Sequence, residues 1–86
     1  MPLISTFYGI LIRMFYNDHA PPHFHAVYGE FEIRVEIQPP RIMTGEAPLR
    51  VQAMVLEWAT LHQVELLADW ELARQARPLD KIPPLP

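Results

Sequence analysis

Residues 31–37 alternate without a fault. Phe31, Ile33, Val35 and Ile37 are apolar, and Glu32, Arg34 and Glu36 between them are charged. A period of two is that of a strand with one face buried and one solvated, which predicts an antiparallel strand. Just before it stands HFHAVY (23–28), followed by Gly29-Glu30. Glycine in the first of two turn positions is the pattern of a type II′ hairpin. That turn sets a register. Tyr28 faces Phe31, Ala26 faces Ile33 and Phe24 faces Val35 on the apolar side. Val27 faces Glu32, His25 faces Arg34 and His23 faces Glu36 on the polar side. A slip of one residue would exchange the two sides. The pattern therefore predicts His23 and His25 on the outer, polar face of a sheet.

FYGILIRMFY (7–16) is rich in β-branched and aromatic residues and predicts one further strand. Pro39-Pro40 predicts a turn, and Arg41-Ile42-Met43 a short last strand at an edge. From about Glu46 the period becomes helical. Val51, Met54, Val55 and Trp58 form one apolar stripe. Leu66, Leu67, Trp70 and Ala73 form a second, about a quarter-turn away at 100° per residue. Thr60 and Gln63 match a capping box. Two helices with a break near 60–63 are predicted, with one kinked helix as the alternative. RPLDKIPPLP (77–86) carries four prolines and predicts an extended tail with Ile82 and Leu85 as apolar anchors. The expected class is α+β. A four-stranded antiparallel sheet carries the helical segment on one face and leaves the other open. Residues 1–76 form a single domain, and residues 77–86 are its tail.

Composition narrows the function. At 86 residues the core is thin. Half the residues are hydrophobic, which argues against disorder. The chain has no cysteine, so disulfides and thiolate metal sites are excluded and a reducing compartment is expected. The sequence shows no signal peptide and no apolar run near the roughly 20 residues that span a bilayer. A cytoplasmic protein without membrane partners is the expectation. A formal net charge of −3 gives no global attraction to nucleic acid.

Candidate chemistry gathers in NDHAPPHFHA (17–26), which holds three of the four histidines, His19, His23 and His25. His-x-His on a strand puts both imidazoles on one face, roughly 6.5–7 Å apart at Cα, within reach of one ion. His19 from the loop is the candidate third ligand for a divalent transition metal such as zinc. Asp18 or Glu36 could add an oxygen or orient a ring. Metal-free acid–base chemistry is the second reading. There His23 and His25 exchange protons with an RNA substrate and Arg34 or Arg13 steadies the phosphorane. In the third reading Pro21-Pro22 is a rigid entry to the strand and the outer face docks a partner through Arg13, Glu32, Arg34 and Glu36.

The chain also resembles the bacterial domain-of-unknown-function 4160 family. The resemblance rests on FYGILIRMFYNDHAPPHFHAVYGEFE (7–32), GEAPLR (45–50), VLEWATLHQVELLADWE (55–71) and KIPPL (81–85). It implies a small cytoplasmic protein, often encoded beside a domain-of-unknown-function 2442 protein, an arrangement that suggests a toxin–antitoxin pair. The leading expectation is thus a component of a two-protein module that acts through the histidine-bearing face and binds a small protein encoded nearby. A small RNA-directed hydrolase and a metal-binding module are the alternatives. A homodimer by edge-strand pairing is a further expectation for so small a core.

Overall fold

The computed structural model describes residues 2–86. Met1, the first residue of the expected 1–76 domain, lies outside the described residues. Among the described residues the chain forms β1 (Leu3–Phe7), β2 (Ile10–Arg13), β3 (His23–Tyr28), β4 (Phe31–Ile37), β5 (Pro40–Glu46), α1 (Leu49–Leu61) and α2 (Gln63–Arg74). The strands make one antiparallel meander in chain order. The class is α+β, but the sheet has five strands where the pattern predicted four.

The extra strand arises where one continuous strand was expected. Tyr8 and Gly9 take φ of 50° and 80°, and the chain reverses there, pairing Phe7 with Ile10. Two successive positive φ values match the twist of a tight hairpin. A tyrosine in the first of these positions hides the turn inside an apolar run. The last strand is also longer than Arg41-Ile42-Met43. It runs to Glu46 past an irregularity between Arg34 and Val35 on its partner strand. Gly45, at φ +94°, lies opposite Ile33, where any Cβ would run into the Glu32 carbonyl. A side chain there is excluded by backbone, not by a movable neighbour.

The β3–β4 hairpin has the predicted register throughout, from Tyr28–Phe31 to His23–Glu36. Gly29 holds φ +58° at its turn. Phe24, Ala26, Ile33, Val35 and Ile37 therefore face one core, with Ile4, Phe7, Ile10, Ile12 and Met14 from the first hairpin. Val51, Val55, Trp58, Leu66, Trp70 and Ala73 close that core from the helices. The helices do break, at His62. Thr60 is not the cap, however. Its hydroxyl donates back to the Leu56 carbonyl inside α1, and His62 stands at the start of α2 with its ring against Glu65. No described helix is long and apolar enough to cross a membrane.

Ile82 and Leu85 of the tail are buried in the same core. The Ile82 N–H donates to the Ile4 carbonyl at 2.8 Å, so the tail runs along the otherwise free edge of β1. The Trp58 indole donates to the Pro83 carbonyl at 2.9 Å. One helix residue also holds the tail. Asp69, buried on α2, accepts the Asp80 N–H at 2.9 Å on one oxygen, while its other oxygen is buried without a partner. Burial raises its pKa, the Asp80 N–H opposes that, and the charges of Asp80 and Glu65 add to the rise. A carboxyl raised in the folded state stabilises the fold fully below its unfolded pKa and loses that contribution as pH rises through the folded value. We predict that wild type gains stability relative to Asp69→Asn as pH falls from neutral towards the carboxyl range. Urea unfolding of both proteins across that range measures it, and a gap independent of pH would contradict the assignment.

Candidate metal centre

Between β2 and β3 the chain makes a tight excursion that returns over the start of β3. The Asn17 N–H donates to the Ala73 carbonyl at 3.4 Å, which ties the excursion to the end of α2. Asn17 sits at φ +53°, a conformation that asparagine tolerates better than most residues. Asp18 follows, and its Oδ1 accepts the His19 N–H at 2.8 Å. Its Oδ2 is thereby turned towards β3. Pro21 and Pro22 have no N–H to donate, but both carbonyls are used. Pro22 accepts from Ile37 at 3.1 Å and so closes the end of the sheet. Pro21 accepts from the Nδ1 of His23 at 2.8 Å.

His23 and His25 are on the polar side of β3, as the register requires, yet both are buried, at 3% and 9% exposure. The open face expected there is a covered one. Trp70 of α2 packs against the His23 ring, with centroids 5.3 Å apart. Phe15 meets the His25 ring edge-on at 4.2 Å. The cover comes from the excursion and from a helix almost fifty residues downstream, which is why alternation within β3 and β4 does not report it.

The protonation of the His23 ring follows from its partner. A carbonyl oxygen can only accept, so the His23 Nδ1 bears the proton it shares with Pro21. The His25 Nδ1 lies 3.0 Å from Glu32 Oε2 and its Nε2 lies 3.4 Å from Asp18 Oδ2, so both of its nitrogens face carboxylates. Both Nε2 atoms then converge on one atom. Asp18 Oδ2 is 3.0 Å from the Nε2 of His23 and 3.4 Å from the Nε2 of His25. The nearer contact is not a hydrogen bond. The His23 Nε2 is buried and out of line with any acceptor among the described residues. A lone pair there faces a carboxylate oxygen at 3.0 Å. Partial burial opposes the charge on Asp18, but the His19 N–H, the His25 hydrogen bond and the two nearby rings outweigh it and hold its carboxyl below the ordinary range.

Asp18, His23 and His25 thus offer three donor atoms within 4.8 Å of one another. Zinc–nitrogen and zinc–oxygen bonds of about 2.0–2.2 Å place two ligands of a tetrahedral ion roughly 3.3 Å apart. The observed 3.0 and 3.4 Å lie on either side of that edge length. Each ring also has its other nitrogen on an oxygen, one a backbone carbonyl and one a carboxylate, which is the support that metal-binding histidines usually have.

His19 is not part of this group. It is exposed, and it serves the site through its backbone N–H on Asp18. The third donor is its neighbour Asp18, which the sequence offered only as an auxiliary oxygen. Glu36 does not reach the rings. It pairs with Arg41, a charge that the sequence reading did not use. Glu32, expected to meet a partner, also lies 3.0 Å from the His25 Nδ1 and orients that ring. Arg13 and Arg34 are half-buried on the same face, paired across strands with His25 from either side.

The profile of a family described as "Domain of unknown function (DUF4160)" matches residues 9–71. The chain belongs to that family. No curated protein and no solved structure matches it. The span of the DUF4160 match takes in all three donor residues, Glu32 and the covering Trp70. It leaves out β1 and the tail. The ring orientations can be read directly. In long-range 1H–15N correlation spectra of the metal-free protein near neutral pH, we predict that His23 gives the Nδ1–H pattern. An Nε2–H tautomer on His23 would remove the lone pair on which the centre depends.

Proposed function

We propose that the chain is a metal-binding module with a divalent transition ion held by Asp18 Oδ2, His23 Nε2 and His25 Nε2. One observation carries this reading: two buried rings, each with its Nδ1 held on a protein oxygen, turn their other nitrogens onto a single carboxylate oxygen. A cation at that point relieves the lone-pair opposition and accepts all three donors. Two imidazoles and one carboxylate suit zinc, iron(II), cobalt(II) or nickel(II) better than calcium or magnesium, which favour all-oxygen shells.

The other expectations use the same residues differently. Acid–base catalysis on RNA needs ring nitrogens within reach of a substrate, and the burial of His23 and His25 favours the ion over that use. A two-protein module remains compatible with a bound ion, because the exposed side chains of Glu32 and Arg41 flank the centre. In that arrangement the ion fixes the surface that the partner meets.

Titration of metal-stripped, tag-free protein with zinc chloride in a calorimeter, with elemental analysis of the product, tests the reading. We predict one zinc per chain. Asp18→Asn and His23→Gln should abolish stoichiometric uptake. Glu32→Gln, which touches only the far side of His25, should weaken it by roughly 10–100-fold. Zinc that binds the folded state alone should also raise stability, by about 2.7 kcal/mol at a free zinc concentration a hundred times Kd. Wild type that takes up no stoichiometric zinc, cobalt, nickel or iron would contradict the proposal, as would uptake unchanged in Asp18→Asn.

A further inference from the structure

We propose that the ion and the guanidinium of Arg34 together bind a phosphoryl group. The inference rests on the metal reading above and names the ligand of that centre. Arg34 is the direct cross-strand partner of His25, so their Cβ atoms are about 4.5–5.5 Å apart on one face. Its Nε is buried and has no hydrogen-bond partner. Of the two glutamates beside it on β4, Glu32 is on His25 at 3.0 Å, and Glu36 is ion-paired with Arg41 at 2.6 Å through an oxygen that makes no hydrogen bond. A desolvated guanidinium N–H without an acceptor is costly, and native proteins seldom leave one. No acceptor among the described residues is in line with that N–H.

The centre asks for the same thing. Two imidazoles without charge and one carboxylate leave a divalent ion with a net positive charge and an open coordination position. Arg13 adds a second cation to the row, opposite His25 on β2. A tetrahedral phosphoryl group suits this pair of sites. One oxygen can sit on the ion while two others meet the planar fork of the guanidinium. A carboxylate has two oxygens only, and must give up either the ion or the fork. The described residues enclose no pocket, so the group arrives at a surface position as free phosphate or as part of a larger molecule.

Zinc-loaded protein, freed of excess metal by gel filtration, is titrated with inorganic phosphate and separately with a short RNA oligonucleotide. Binding of phosphate by the zinc form, and not by the metal-free form, is expected. Arg34→Gln that still holds one zinc should bind phosphate at least about tenfold more weakly, since it loses the guanidinium fork and its charge-assisted hydrogen bonds. Should that variant fail to fold, Arg34→Lys keeps the charge without the fork, and weakened binding is again expected. RNA that competes with phosphate assigns the group to a nucleic-acid backbone, and RNA that does not compete assigns it to small phosphates. Zinc-loaded wild type that binds neither probe overturns the inference and leaves the metal centre standing. Wild-type affinity in Arg34→Gln, or in Arg34→Lys where that decides, also overturns it. Failure to take up zinc at all is a different result, and removes the metal reading beneath it.

Discussion

A buried nitrogen lone pair needs something positive in front of it, and a carboxylate oxygen is the opposite of that. His23 and Asp18 stand in this relation at 3.0 Å, with His25 behind the same oxygen at 3.4 Å. The features around them act to hold that arrangement in place. Pro21 presents a carbonyl that fixes the His23 ring, and Glu32 fixes the His25 ring. The His19 N–H turns the carboxylate. Trp70 and Phe15 keep water from the rings and so raise the strength of any charge–charge interaction there. A cation at that point would make all three atoms ligands of one centre.

The fold gives that centre its rigidity. Small domains have thin cores and often depend on a cross-link, and a chain without cysteine cannot use a disulfide. An ion on Asp18, His23 and His25 would be such a cross-link, since it joins the excursion after β2 to the first residues of β3. The excursion is also tied to α2 through Asn17 and Ala73, and α2 is tied to the tail through Asp69 and Asp80. A bound ion, the helix position and tail docking would therefore be linked through one set of contacts. The tail in turn lies along β1, whose free edge would otherwise be open to pairing with another chain.

Much of this was legible in the sequence, in the places where local chemistry decides. Gly29 and the alternation of residues 31–37 specify the hairpin register completely, because a slip would bury Glu32, Arg34 and Glu36. The rotation of the apolar stripe between Trp58 and Leu66 marks the helix break. The hidden parts depend on residues far apart. Tyr8 takes a positive φ that glycine would have advertised, so the first hairpin reads as one strand. The burial of His23 and His25 comes from Phe15 and Trp70, and no periodicity within β3 can announce them. Asp18 replaces His19 as the third donor because the excursion turns at Asn17. A histidine-rich stretch draws the eye to the third histidine, and only the path of the backbone selects its neighbour.

Anomalous diffraction at the zinc edge, from crystals grown with one equivalent of zinc, tests the central claim most directly. The account predicts a single strong peak about 2.0–2.2 Å from Asp18 Oδ2, His23 Nε2 and His25 Nε2. The rings should keep their Nδ1 contacts to Pro21 and Glu32. A peak bound only at the exposed His19 or at His62, with the space between Asp18 and the two buried rings empty, would contradict it.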